Sequence, residues 1–288
     1  MYQAKQSGRN RYHLFDIDSD QRVKSQNEIL EGVRQALARN EFVLYYQSKV
    51  VMNSGAFIGA EALIRWNHPE KGILSPAMFL PMIENHPIGV ELGEWVINEA
   101  LTQMEAWHAA GLDIPVSVNI GARQLQQGHF VTRLSETLAA HPDVLPSCLE
   151  LEILETSALE DLNLSTEVMQ ACRKLGVRFA LDDFGTGYSS LTYFRYLPAD
   201  VIKIDQTFVR DMLSDPDDQH IVKAVIELAK TFGRCPLAEG VETVEHGNAL
   251  IKLGCEYVQG YAIAEPMPAN ELQNWMASWK PEASWLAK

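Results

Sequence analysis

The sequence predicts an α/β fold: a TIM-like (β/α)8 barrel with its first strand antiparallel. Three observations carry this. Eight short strand-like segments recur along the 288 residues. Mostly helical stretches connect them. Seven of the eight end in or contain a residue able to hold a metal or a phosphate: Glu61, Asn119, Glu152, the pair Asp182 and Asp183, Lys203, Glu239 and Gln259. Barrels of this class gather their active sites at the C-terminal strand ends. An open doubly wound sheet is the competing architecture, but the strand count and the spread of polar residues over nearly all strand ends favour closure.

The elements follow in order. Residues 1–16 have a helix-like start, a break at Gly8 and an apolar finish, and read as the end of something else; 17–26 read as a polar linker. A helix begins near Asn27, with Ile29, Leu30, Val33, Ala36 and Leu37 at helical spacing. The apolar segments 42–51 and 56–66 form a hairpin around Asn53, Ser54 and Gly55. Such a short turn cannot make a parallel crossover, so the first strand runs antiparallel to the second. Ser75 and Pro76 open a helix to about residue 86, and a longer one runs from about Val90 to Gly111. Strands then fall at 115–120, 149–154, 178–184, 201–205, 236–240 and 257–260. Helices fall at 129–140, 165–175, 190–196, 217–232, 243–253 and 269–279, with Gly176 and Gly254 where helix C-caps belong.

Composition narrows the function. The chain is 47% apolar and 22% charged, with no apolar run long enough for a membrane span and no secretory signal at its polar start. Its formal charge of −14, from 24 basic and 38 acidic residues, argues against binding duplex nucleic acid. It leaves room for a small phosphate ligand held through metal. Cys148, Cys172, Cys235 and Cys255 form no CxxC pair and read as small buried hydrophobes in a reduced, cytoplasmic setting.

The polar residues work best as a set. Two carboxylates ~4 Å apart repel by roughly 4 kcal/mol near a protein surface, so acids sharing one rim imply cations between them. An all-oxygen set implies hard cations, magnesium or manganese. Glu61, Asn119, Glu152 and Asp182 suit a first ion, and Asp183 beside Asp182 reaches a second. Two such ions can clamp the attacking and leaving oxygens of a phosphoryl displacement. Glu239 either ligates the second ion or orients water; Lys203 holds that water or offsets phosphate charge. Glu242 joins them only if a helix has begun by that point. The DFG at 183–185 lacks the other kinase motifs. Gly185 and Gly187 suggest a mobile loop instead, with Ser189 and Ser190 capping the helix after it.

The segments EALIRW (61–66), SVNIGARQL (117–125), LELEILETS (149–157), LDDFGTGYSSL (181–191), IKIDQTFV (202–209), AEGVET (238–243) and QGY (259–261) together resemble the EAL-domain cyclic di-GMP phosphodiesterases over roughly residues 27–280, leaving 281–288 as a tail. The stretch MYQAKQSGRNRYHLF resembles the end of a GGDEF domain, so the chain looks like the C-terminal part of a GGDEF–EAL protein without cyclase activity of its own. The resemblance implies hydrolysis of cyclic di-GMP to linear pGpG with two Mg2+ or Mn2+ ions, a homodimer, upstream GGDEF and sensory domains, and room for a membrane anchor outside this sequence. By motif, Glu61, Asn119, Glu152, Asp182 and Asp183 match the metal ligands; Lys203 and Glu239 the water-activating pair; Gln259 and Glu242 their support; Gln47, Leu63 and Arg65 the substrate contacts; and Glu155 the anchor of the loop after the fifth strand. Leu154 replaces the family's usual Thr, Ser48 a usual Pro, and Cys235–Pro236 a more β-branched pair. None of these removes a metal ligand, which favours an active enzyme over a silent receptor or a pure interaction module.

Overall fold

The computed structural model describes residues 17–186 and 191–286. The GGDEF-like residues 1–16, the loop residues Gly187, Ser189 and Ser190, and the last two residues of the tail lie outside them. Helix α1 (Ile17–Ala38) leads into the hairpin of β1 (Phe42–Val51) and β2 (Ala56–His68), followed by a short β3 (Gly72–Leu74). After a 3-10 turn come α2 (Leu80–Ile83) and α3 (Pro87–Ala109), β4 (Val116–Ile120), α4 (Ala122–Leu125) and α5 (Phe130–Ala140). Then follow β5 (Leu149–Leu154), α6 (Glu155–Glu160), α7 (Leu162–Lys174), β6 (Arg178–Phe184) and α8 (Leu191–Tyr196). The chain continues through β7 (Val201–Ile204), α9 (Gln206–Asp211), α10 (Pro216–Thr231), β8 (Cys235–Ala238), α11 (Val244–Leu253), β9 (Tyr257–Gln259), β10 (Met267–Pro268) and α12 (Ala269–Ser278).

The sheet closes. β2, β4, β5, β6, β7, β8 and β9 follow one another in parallel, and β1 joins β9 to β2 by antiparallel pairing on both sides. β3 and β10 extend β2 and β1 as short flaps. The eight-stranded barrel and its reversed first strand are those the sequence predicts.

Alternation along each strand sorts the side chains. Val116, Val118, Leu149, Leu151, Ile153, Phe179, Leu181, Ile202, Ile204, Ala238 and Val258 belong to the main core with the helices and are almost fully buried. Ala180, Val201 and Leu237 make a separate small cluster inside the barrel, flanked by Cys235 and Tyr257. Inward positions also carry the charged groups Lys49, Glu61, Glu150, Glu152, Asp182 and Lys203, so the interior of this barrel holds a column of charge beside a small apolar plug.

Several elements depart from the pattern reading. α1 starts at Ile17, so the expected linker is helical and continuous with the helix expected from Asn27. Apolar spacing reveals only an amphipathic stretch of helix, and the polar run 18–26 shows no such spacing. The helix expected after Ser75 breaks at Phe79 into a 3-10 turn, Pro76–Met78, and α2, whose Pro81 cannot continue the preceding backbone ladder. α3 begins at Pro87, capped by the His86 ring, which accepts from the Ile88 N–H at 3.1 Å. The six-residue helices α6 and α9 were too short to show a period. Among the described residues no helix is long and apolar enough to cross a membrane.

One close approach is needed for closure near β9. A Cβ on Gly260 would meet the backbone of Val241, its N at 2.2 Å and its O at 2.4 Å. Gly260→Ala is expected to destabilise the chain by about 3 kcal/mol, the upper range for overpacking. Gly121→Ala, which meets nothing within 4 Å, should change stability by less than about 0.5 kcal/mol. Urea denaturation of both variants checks this; equal midpoints would show that the strand end is free to move.

Candidate active site

At the C-terminal mouth of the barrel, one ammonium group organises the acids. Lys203, on β7, has a side chain 1% exposed. Its Nζ lies 2.5 Å from Glu152 Oε2, 2.8 Å from Glu239 Oε1, 3.0 Å from Asp182 Oδ1 and 3.5 Å from Glu61 Oε2. Strand register delivers these groups: each sits at an inward position, Glu61 in the middle of the long β2, Glu152, Asp182 and Lys203 near the ends of their strands, and Glu239 as the first residue past β8. Asn119 donates from Nδ2 to Glu61 Oε1 at 2.6 Å, leaving its carbonyl oxygen free to turn to the mouth. Gln259 donates to Glu61 Oε2 at 2.7 Å and to Gln47 Oε1 at 2.8 Å, while Gln47 donates to the Ala264 carbonyl at 3.0 Å.

Asp183 reaches the cluster by a backbone device. Neighbouring residues on a strand face opposite sides, but Asp183 adopts a left-handed conformation, φ 51°, and the β6–β7 register shifts between Leu181 and Phe184. The alternation breaks there, so both acids of the pair serve the mouth. The Asp183 N–H donates to Asp182 Oδ1 at 3.0 Å, and Thr186 Oγ1 donates to the Asp183 carbonyl at 2.9 Å. Glu155, the first residue of α6, is buried and accepts from the Gly185 N–H at 3.1 Å.

Two carboxylate triads result: Glu61, Glu152 and Asp182; and Asp182, Asp183 and Glu239. Within each, one oxygen per residue lies within 4.8 Å of the others. Asp182 belongs to both. All donors are oxygens, which is the chemistry hard divalent ions require.

The electrostatics are strained in the direction that a cation would relieve. Burial pushes Glu239 well above the usual carboxylate range; Lys203 opposes this, and Asp182 adds to it. Burial, then the Glu152 charge, raises Glu61. Burial, the Asp182 charge and a hydrogen bond with Asp205 push Asp183 up to about 7. Glu152 goes the other way. Burial would raise it, but Lys203 and Lys49 together hold it at about 2.

Arg65 and Leu63 follow Glu61 at alternate positions of β2, both half-buried above the acids. The Arg65 guanidinium lies over the Tyr45 ring, 5.6 Å from its centroid, and donates to the Ile64 carbonyl. Burial lowers its pKa, with the nearby Tyr261, Tyr45 and Glu61 working against that. Of the residues expected at the site, Glu242 alone stands apart. α11 begins only at Val244, so Glu242 lies on the preceding loop and is exposed. Its expected supporting role rests on the resemblance alone.

Sequence reasoning missed Lys49, Glu150 and Asp205. Lys49 is buried two residues beyond Gln47 on the same inward face, 2.9 Å from Glu152 Oε1 and 3.1 Å from Glu150 Oε1. Glu150 lies two residues before Glu152. A period of two counted back from Glu152, and on from Gln47, would have placed both inside the barrel. Asp205 caps α9 through the Thr207 N–H at 2.7 Å and faces Asp183.

The EAL domain family model matches residues 30–266. This chain belongs to the EAL-domain family. As an EAL domain it is 41% identical over 273 residues to the bifunctional diguanylate cyclase/cyclic di-GMP phosphodiesterase MucR of Pseudomonas aeruginosa, covering 94% of this chain and 40% of MucR. It is 36% identical to the cyclic di-GMP phosphodiesterase PdeR of Escherichia coli, covering 96% of this chain and 41% of PdeR. The chain thus spans about two-fifths of the length of these relatives. Its fold superposes on the MucR phosphodiesterase in complex with c-di-GMP with a TM-score of 0.82, over 85% of this chain and 99% of that one, at 41% identity. The EAL enzyme Bd1971, in its cAMP and cyclic-di-GMP bound form, gives 0.84 at 32% identity over 90% of this chain and 71% of that one.

The raised carboxylates set a pH dependence. A group whose pKa is higher in the folded state contributes stability below its unfolded value and loses it as pH rises through the folded one. Asp183 loses that contribution between about pH 4 and about 7, with Glu61 and Glu239 shifted the same way. In excess chelator, the melting temperature of this EAL domain is expected to rise as pH falls from 8 to 5, and by less in Asp183→Asn. Calorimetry across that range checks it; a flat or opposite trend in the parent would show that these acids are not strained.

Proposed function

We propose that this chain hydrolyses one phosphodiester of cyclic di-GMP, giving linear pGpG, with two Mg2+ or Mn2+ ions. The pair of carboxylate triads sharing Asp182 beneath a half-buried arginine carries this reading. Membership of the EAL family and the printed activities of MucR and PdeR support it.

Glu61, Asn119, Glu152 and Asp182 would hold the first ion; Asp182, Asp183 and, if it turns from water to metal, Glu239 the second. When bound, the ions supply positive charge to the attacking and leaving oxygens of the displacement. The chain does the rest. Arg65 grips a phosphate through charge-assisted hydrogen bonds, with Leu63 and Gln47 lining the approach. Lys203 and Glu239 orient a water, whose oxygen attacks phosphorus; the bond from phosphorus to the 3′ oxygen breaks, and the phosphate stays on the 5′ carbon. Gln259 keeps Glu61 and Gln47 in place through its two donated bonds. The same reading makes the active form a homodimer within a longer, cytoplasmic GGDEF–EAL protein.

Incubating the chain with cyclic di-GMP and Mg2+ or Mn2+, then separating products by chromatography, tests the reaction. pGpG should appear with either ion and not in excess chelator. Full turnover in chelator would remove the metals, and no product under any condition would remove the enzyme.

Binding and chemistry should separate by mutation. Arg65→Ala is expected to raise KM at least tenfold, whereas Lys203→Ala lowers kcat with a smaller effect on KM. Steady-state kinetics on both variants checks this, and a pure KM effect from each would take Lys203 off the water.

The bond between Glu155 and Gly185 ties the loop after β6 to its neighbour. Glu155→Ala is expected to cut kcat about tenfold or more and to weaken metal binding, with part of the loss recovered at high Mg2+. Unchanged Mg2+ titration curves in that variant would show the acid pair is held by other means.

A further inference from the structure

We propose that Lys49 is a positioning residue that restricts Glu152 to offering one oxygen to the site, and so biases the site towards small octahedral ions over calcium. This rests on the metal-dependent reading above.

Glu152 is bracketed. Its Oε2 meets Lys203 at 2.5 Å on the mouth side, and its Oε1 meets Lys49 at 2.9 Å on the floor side. Neither carboxylate nor ammonium is reached by solvent: the Glu152 side chain is 0% exposed and that of Lys49 6%. Rotating Glu152 to present both oxygens to the mouth would take from the buried Lys49 ammonium the nearer of its two carboxylate partners, leaving it Glu150 and Ser117.

Lys49 is itself fixed from below. It contacts Glu150 Oε1 at 3.1 Å and Ser117 Oγ, and Ser117 donates to Glu150 at 2.7 Å. The pairing register of β1 shifts between Lys49 and Val50, so a bulge sets where this side chain enters the barrel. These groups line a cavity of about 330 Å3 at the barrel floor, on the side away from the acid triads.

The consequence is selectivity. Calcium takes six to eight oxygens and readily uses both oxygens of a carboxylate, whereas magnesium demands near-ideal octahedral geometry. Holding Oε1 on Lys49 leaves Glu152 suited to the second kind of ion. Removing the lysine charge would alter the attraction for any divalent ion alike, so the ratio of two affinities isolates the effect of orientation.

The test is isothermal titration of Mg2+ and Ca2+ into the whole chain, comparing Glu150→Gln with the double variant Lys49→Met/Glu150→Gln, which removes the lysine together with its floor-side charge. The calcium-to-magnesium affinity ratio is expected to rise about tenfold in the double variant. Its kcat with Mg2+ should fall while KM for cyclic di-GMP stays within about twofold. Lys49→Arg, which keeps a charged donor for Oε1, should hold the parental ratio. Lys49→Gln/Glu150→Gln carries the same expected direction and serves if methionine prevents folding. An unchanged ratio, or an Arg variant shifted as far as the Met variant, overturns the assignment and leaves Lys49 a structural counter-ion. If the parent chain binds neither ion, the metal reading fails and this inference with it; a metal-dependent parent with an unchanged ratio removes Lys49 alone.

Discussion

Burying Lys203 among four carboxylates is the constraint on which the rest of this barrel depends. A lone ammonium in such a place would be deprotonated or pulled to solvent, and the acids alone would repel one another. Held together they are mutually necessary, and only a closed sheet can bring β2, β5, β6, β7 and the end of β8 around one point. Five carboxylates line the column (Glu61, Glu150, Glu152, Asp182, Glu239) against two ammonium groups, Lys49 and Lys203. The surplus is negative; burial first, with neighbouring carboxylate charges adding to it, raises Glu61, Glu239 and Asp183.

Barrel interiors are usually filled by branched aliphatic side chains. Here the aliphatic content has moved outward. The strand faces turned to the helices carry Val, Leu, Ile and Phe, and the inner face keeps a small buried plug of Ala180, Val201 and Leu237. The fold therefore derives its hydrophobic stabilisation from the sheet–helix layer, freeing the interior for charge.

Much of this was legible in the sequence because a period of two is simple to read. The strands fell within a residue or two of their observed limits, and the alternation that put Glu61, Glu152 and Lys203 on one face was visible. What escaped has physical reasons. Lys49 sat in a run of apolar and aromatic residues that drew attention as a strand, not as a carrier of charge. Asp183 was expected beside Asp182, but the left-handed backbone that brings it there is something residue identity does not announce. The N-terminal half of α1 has no apolar stripe to betray it.

Reversing the first strand also changes where the chain enters. In an all-parallel barrel the first strand begins at the floor; here β1 begins at the mouth, where Phe42 pairs with Trp66 and Val43 with Arg65. Helix α1 arrives at that rim, and Gly32 lies so close to the Trp66 ring that a methyl group there would stand 2.9 Å from it. Trp66 is in turn pinned by its Nε1 donating to Glu41 at 3.0 Å. A displacement of α1 at Gly32 would therefore bear directly on Trp66, the residue that follows Arg65 on β2.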